Sequence, residues 1–247
     1  MRNIWTIAKR EYDHYFVSPI AYVVAFTILL VLGIIFALVI WSYSQQTFFG
    51  GGGAPDISGI IGSFAFLMVL STPALTMRLL ADENRMGTME LLLTAPVRES
   101  ELVIGKWLGG MLFILTVIAI TLVYPIILNN LVEPGIDQGI LLTSYLGLIL
   151  VAASFLAVGV GVSALFSNQV AAFFVTMILL VTLYWLMGFP AGFIQNGAEF
   201  FRHMDLQTHF SNLTSGQINL TDLVYFFSLI AIGLFTGSMA VETRRWR

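Results

Sequence analysis

RLLADENRMGTMELLLTAPVRESELVIGK, residues 78–106, is the one long polar island between apolar runs that are each long enough to span a bilayer. It holds Arg78, Asp82, Glu83, Arg85, Glu90, Arg98, Glu99, Glu101 and Lys106, nine charges in a chain with 11 Lys and Arg and 14 Asp and Glu. The pattern predicts a short helix inside the island. Gly87 and Thr88 offer its cap, Glu90 falls in its first turn, Leu91, Leu92 and Leu93 give it an apolar patch, and Ala95-Pro96 stops it. A docking surface and a solvated connector both fit this pattern. The flanking sequence decides between them.

Composition bounds the class. The chain has 247 residues, 58% apolar and 10% charged, with a mean hydropathy of +0.90. A soluble domain carries roughly 25% charged residues. This chain cannot cover an ordinary water-facing surface, so lipid is its solvent. A net charge of −3 and no basic patch apart from the membrane flanks argue against a nucleic-acid partner. Without cysteine there is no disulfide, no thiolate metal site and no thiol nucleophile.

Outward from the island, residues 2–16 read as an amphipathic helix lying in the membrane interface. Ile4, Trp5, Ala8, Tyr12, Tyr15 and Phe16 fall near one face, with Arg2, Lys9, Arg10, Asp13 and His14 mostly elsewhere. The interfacial helix is expected over 1–18, and Ser18-Pro19 opens the next helix. A secretory signal is excluded by the long charged region, the full-length apolar run and the lack of a small-residue cleavage site. Six spans follow, at about 20–41, 57–77, 107–128, 140–166, 170–189 and 223–241. The glycine run at 50–53 is linker chemistry, because no Lys-Ser/Thr follows it. The expected class is an all-α polytopic membrane protein, one transmembrane domain over 1–247.

Orientation follows from Lys and Arg. Counted on alternate sides, Arg2, Lys9, Arg10, Arg78, Arg85, Arg98, Lys106, Arg244, Arg245 and Arg247 share one side, and Arg202 lies on the other. This bias puts both termini and the island in the cytoplasm.

The six stretches contain no Asp, Glu, Lys, Arg or His. Intramembrane ionisable groups usually mark ion or proton pathways, so their absence weighs against a proton-coupled carrier. A sodium site built from carbonyls stays open. Energy for any transport then enters from outside the bilayer. The chain has no nucleotide site of its own: Gly105-Lys106 is the nearest P-loop match, and it fails because position 100 is Ser and position 107 is Trp. Neither a Gly-x-Ser-x-Gly elbow nor a His-Glu-x-x-His helix is present.

Asp82-Glu83, then Gly87-Thr88-Met89-Glu90-Leu91-Leu92-Leu93-Thr94-Ala95-Pro96-Val97, then Gly105-Lys106 resembles the first cytoplasmic loop of ABC-2-type exporter permeases. Ala8-Lys9-Arg10-Glu11 through Ser18-Pro19 looks like the gliding-motility-associated branch of that family. So does the closing segment with His209-Phe210, Gly216, Leu220-Thr221-Asp222, Tyr225-Phe226 and Arg244-Arg245-Trp246. In that branch a basic residue often precedes the glycine at 216, where this chain has Ser215.

The resemblance implies a non-catalytic permease subunit in a bacterial-type cytoplasmic (inner) membrane. It implies a second permease subunit, as a homodimer or heterodimer, and a separate ABC ATPase subunit that binds ATP and magnesium. An accessory protein on the outer side is a further implied partner. The loop after span 2 would carry the coupling helix, with Glu83, Gly87, Thr88, Glu90, Leu91, Leu92, Leu93 and Pro96 as its contact residues. The segment before span 6 would form short re-entrant helices on the outer side. Three rivals stay open: a mechanical transmitter with the same fold, a carrier or channel not driven by ATP, and a membrane anchor.

Other features have plainer readings. Ala153, Ala157 and Gly161 on span 4, and Gly233 and Gly237 on span 6, form small-residue stripes. Packing within one bundle is favoured over a dimer seam, since every bundle needs such contacts. His203, Asp205 and His209 are disfavoured as metal ligands because no i, i+4 spacing links the histidines.

Overall fold

A computed structural model of the chain describes residues 2–48, 57–86, 98–132, 135–193 and 198–245. Among these residues the chain is helical, with no strand. The first helices are α1 (Arg2–Val17), α2 (Pro19–Phe48), α3 (Ser58–Thr76), α4 (Ala81–Met86), α5 (Glu99–Thr121) and α6 (Val123–Leu131). They are followed by α7 (Gln138–Leu165), α8 (Gln169–Val181), a π-helical turn (Thr182–Leu186) and a 3-10 turn (Phe189–Gly192). The last are α9 (Ala198–Met204), α10 (Leu206–Thr214) and α11 (Leu220–Arg245). Six segments are long and apolar enough to cross a membrane.

α7 is the axis of the bundle. Small side chains recur along it, so neighbours approach from several directions, and α3, α5, α8, α10 and α11 all pack against it. In its most apolar stretch 83% of residues are buried, against 22% for the corresponding stretches of the first, fifth and sixth apolar segments. The peripheral helices keep one apolar face outward. On α2, Tyr22, Phe26, Leu30, Ile34 and Leu38 are exposed at four-residue intervals, the pattern of a stripe against lipid rather than a defect in a soluble core.

The two small-residue stripes meet each other. A Cβ on Gly233 would lie 2.6 Å from the Ala157 carbonyl carbon, and one on Gly161 would lie 2.6 Å from the Gly233 oxygen. Only glycine permits this backbone approach between α7 and α11. The stripes therefore form a seam inside one chain.

Several helices run past the expected spans. α5 begins at Glu99, eight residues before the expected start at Trp107, and carries Glu101 and Lys106 in its first turns. By composition the charge at Lys106 marks the end of the apolar run, but Lys106 is neutralised by partners from other helices, so the helix continues through it. α11 likewise begins at Leu220 and includes Asp222. The fifth span is not one uninterrupted α-helix: its α-helical part ends at Val181 and a π turn follows. Such turns widen the helix locally by one residue. In the third span, Pro125 removes an amide and a turn at Leu122 separates α5 from α6.

α1 ends at Val17, and after Ser18 Pro19 opens α2. The apolar face expected on α1 divides. Ala8 and Tyr15 are buried and Ile4 and Tyr12 are half-buried, whereas Trp5 and Phe16 are exposed. The inward half lies along α5. A Cβ on Gly105 would stand 2.8 Å from the Ile7 Cβ, and one on Gly109 would stand 2.5 Å from the Glu11 Cβ. Two glycines four residues apart give α1 a groove on α5, and this close fit sets the geometry of the candidate site.

Candidate functional site

The charges of the polar island converge where α1, α4 and α5 meet. Lys106 is 3% exposed and its Nζ sits 2.9 Å from Glu11 Oε1 and 2.8 Å from Glu83 Oε1. The two carboxylates come from α1 and α4 and are 13% and 15% exposed. A buried ammonium of this kind is costly unless paired, and two partners meet that requirement. Lys106 reaches the carboxylates because Gly105 and Gly109 bring α1 flush against α5.

α4 is held from two more directions. Ser163 on α7 accepts hydrogen bonds from the Leu80 and Ala81 backbone N–H groups, both at 3.1 Å. The first amides of a helix lack intrahelical acceptors, so Ser163 acts as a cap supplied from another helix. Gln169, at the start of α8, donates to Asp82. Arg85, on α4 itself, lies 3.8 Å from the same carboxylate. Thus α4 is fixed to α5, α7 and α8 before the chain enters residues 87–97.

The chain after that segment is fixed as well. The Arg98 backbone N–H donates to Glu101 Oε2 at 3.1 Å, which closes the first turn of α5. Asn3 on α1 donates to the same oxygen at 3.3 Å. Both flanks of residues 87–97 are therefore bonded to α1, one through Lys106 and one through Glu101.

Of the site residues named from sequence, Glu83 lies in this junction and bonds Lys106. Gly87, Thr88, Glu90, Leu91, Leu92, Leu93 and Pro96 lie outside the described residues. Glu11, Ser163, Gln169 and Asn3 were not singled out by pattern. Their roles depend on contacts across 82 to 98 positions, for which a single sequence gives no periodic signal. The Gly105-x-x-x-Gly109 spacing was the available hint that a helix docks there.

Tyr15 ties α1 to α3. Its hydroxyl donates to the Leu75 carbonyl at 3.2 Å, and its ring stacks on Phe113 with centroids 4.9 Å apart. Burial drives the phenol well above its ordinary range, the Glu11 charge adds to this, and Arg78 opposes it. The phenol stays a neutral donor.

A second polar cluster sits at the far end of the bundle. His209 Nδ1 is 2.6 Å from Asp222 Oδ1, and both side chains are buried. Nε2 is 3.0 Å from the His203 carbonyl, which only accepts, so Nε2 carries a hydrogen. Asn212 and Asn219 also donate to Asp222, at 3.2 and 3.0 Å. Asp205 caps α10 through the Thr208 amide at 3.1 Å. The cluster locks the two short helices α9 and α10 onto the start of α11. Both ring nitrogens of His209 are engaged, and no group of three or more His, Asp or Glu suited to a metal ion occurs among the described residues.

Six crossing segments, a junction gathering both flanks of the polar island, and two short helices before the last crossing agree with a comparison to protein families. A family model described as ABC-2 family transporter protein matches residues 5–241. No curated protein matches the chain. The match takes in α1, the polar island, all six apolar segments and the far-end cluster, and the chain belongs to the ABC-2 transporter family, as a multi-pass membrane protein of the permease type.

Proposed function

We propose that this chain is the transmembrane permease subunit of an ABC-2-type exporter, driven by ATP hydrolysis in a separate ATPase subunit. The observation that carries the reading is the anchoring of residues 87–97 at both ends. A segment pushed by a partner transmits force only if its flanks are stiffly tied to the helices that must move. Here one flank reaches α5, α7 and α8 directly, and both flanks reach α1. ATP and magnesium bind in the partner. The basic end of the bundle faces the cytoplasm of an inner membrane, as the Lys and Arg bias requires. One chain offers one such segment, while an ABC motor has two ATPase subunits, so the working unit contains two permeases, identical or related.

In this reading Leu91, Leu92 and Leu93 enter a groove on the ATPase, while Glu90 orients them. The test is co-expression and co-purification of the full chain with ABC ATPase subunits from the same organism, followed by ATP hydrolysis in lipid. Leu91→Ser with Leu92→Ser, or Glu90→Lys, should lose complex formation or the stimulated hydrolysis while the protein still inserts in the membrane. Burying a leucine is worth roughly 1.5–3 kcal/mol, so loss of two is measurable. Glu133→Lys, on the opposite side by sequence, should change neither. If the island variants bind and hydrolyse like the parent, the island is a plain connector and the proposal fails.

A further inference from the structure

Beside the Lys106 junction lies a cavity of about 390 Å³, between α1, the segment after α3, α4 and α5. Its size falls within the range of small-ligand sites, roughly 300–1,000 Å³. Arg10 and His14 line it from α1, one helical turn apart, and Arg78 lines it from the chain that follows α3. Glu11, Asp82, Glu83 and Lys106 complete its charged wall.

The charges of this wall are unevenly used. Lys106 is shared by Glu11 and Glu83. Asp82 accepts from Gln169 and faces Arg85. Arg78 donates its Nη2 to the neutral hydroxyl of Ser18 at 2.7 Å. Among the described residues neither Arg78 nor Arg10 has a carboxylate within ion-pair distance. The guanidinium of Arg78 is half-buried and keeps two further nitrogens for an acceptor. Arginine is well suited to phosphate, which meets its planar fork with two parallel hydrogen bonds.

The wall also selects for charge. Arg10, Arg78 and Lys106 balance Glu11, Asp82 and Glu83. Glu11 and Glu83 are engaged by Lys106 and Asp82 faces Arg85, which leaves Arg10 and Arg78 for a single anionic group. The position fits a lipid. Ser18 is the break where α1 turns into α2, and Arg78 stands two residues beyond the end of α3 at Thr76. By sequence these positions flank the apolar stretches expected at 20–41 and 57–77. Leu75, Leu79 and Met86 add an apolar lining for the glycerol portion.

We infer that this cavity binds the phosphodiester headgroup of an anionic membrane lipid, with Arg78 and Arg10 as its phosphate ligands. This rests on the reading that the α1 end of the bundle lies at a membrane surface. It does not depend on an ATPase partner, and the test contains none.

The experiment is native mass spectrometry of the full chain, freed of lipid in detergent, with phosphatidylglycerol, phosphatidylcholine or inorganic phosphate added in turn. One phosphatidylglycerol per chain should be retained in preference to phosphatidylcholine. Arg78→Gln, and separately Arg10→Gln, should each weaken that retention about tenfold or more, the scale of a lost charged hydrogen bond. Arg10 is exposed, so its variant tests the site even where Arg78→Gln disturbs folding. Arg202→Gln, at the far end, and Leu91→Ser with Leu92→Ser should bind lipid as the parent does. Equal retention of the two lipids, or unchanged binding in both arginine variants, overturns the inference. Inorganic phosphate displacing the lipid at comparable concentration overturns the lipid assignment in favour of a free anion.

Discussion

The two polar clusters of this protein differ in how far apart their parts lie in the chain. At the far end, His209, Asn212, Asn219 and Asp222 fall within 13 positions of one another. At the basic end, Lys106 takes one carboxylate from 95 positions away on α1 and one from α4. The first cluster ties consecutive short helices into a local cap. The second staples α1 to α4 and α5, elements that lie far along the chain from it. A local lock holds shape, whereas a staple between remote elements also carries displacement. That difference is why the basic end, rather than the equally buried far end, is the candidate for transmission.

The largest expected effect comes from breaking the staple. Lys106→Met leaves two part-buried carboxylates facing each other without a cation. Removing one partner of a buried ion pair costs about 3–5 kcal/mol. Thermal unfolding in detergent should show this loss, and hydrogen exchange should rise in α1, α4 and the first turns of α5 together. Adding Glu11→Gln and Glu83→Gln to Lys106→Met should recover much of the stability, because the uncompensated charge is then gone. If exchange rises in α4 alone, the three elements are not coupled and the contrast with the far end disappears.

At the far end Asp222→Asn keeps the side-chain shape and removes the charge. His209, Asn212 and Asn219 then compete for an amide oxygen, and the buried imidazole loses its carboxylate partner, at about 1–3 kcal/mol. The loosening should be confined to α9, α10 and the first turns of α11. Exchange that spreads to α1 would show that this cluster, too, carries displacement along the bundle.

The seam between α7 and α11 joins the two ends, and it gives a comparable or smaller loss. In Gly233→Ala the new methyl meets the Ala157 backbone at 2.6 Å, which cannot yield as a flexible side chain would. Overpacking of this kind costs about 1–3 kcal/mol. Gly59→Ala, whose methyl meets nothing within 4 Å, should be neutral in the same unfolding measurement. Equal behaviour of the two variants would mean the seam is looser than the contact distances indicate.

How much of this was legible in the sequence follows the same division. The six apolar segments were, because each is a local run of known length. So was the meeting of the small-residue stripes within one bundle. The start of α5 was not. Lys106 ends an apolar run by composition, and nothing local indicates that Glu11 and Glu83 neutralise it. The Ser163 cap on α4 was hidden for the same reason: a serine in a small-residue helix reads as packing, and its acceptor role needs a partner more than 80 positions away. The π turn at Thr182–Leu186 had no proline or glycine to announce it.

The smallest effect concerns the thread between α1 and α3. Tyr15→Phe keeps the stack on Phe113 and removes one hydrogen bond, to the Leu75 carbonyl in the last turn of α3, where carbonyls lack intrahelical donors. The expected loss is about 0.5–1.5 kcal/mol at neutral pH. Its pH dependence separates this bond from simple packing. The phenol is held above its ordinary value of 10.0 by burial, so above that pH the unfolded chain loses the proton first. Below pH 10 the folded and unfolded phenols are both protonated and the full contribution is present. As pH rises through 10 the unfolded state binds fewer protons than the folded one, and the stability of the parent falls. The phenylalanine variant has no such proton to lose. Its deficit relative to the parent should therefore be constant up to about pH 10 and narrow above it. A deficit that stays constant through this range would mean that Tyr15 ionises alike in both states, and so that α1 does not bury it against α3.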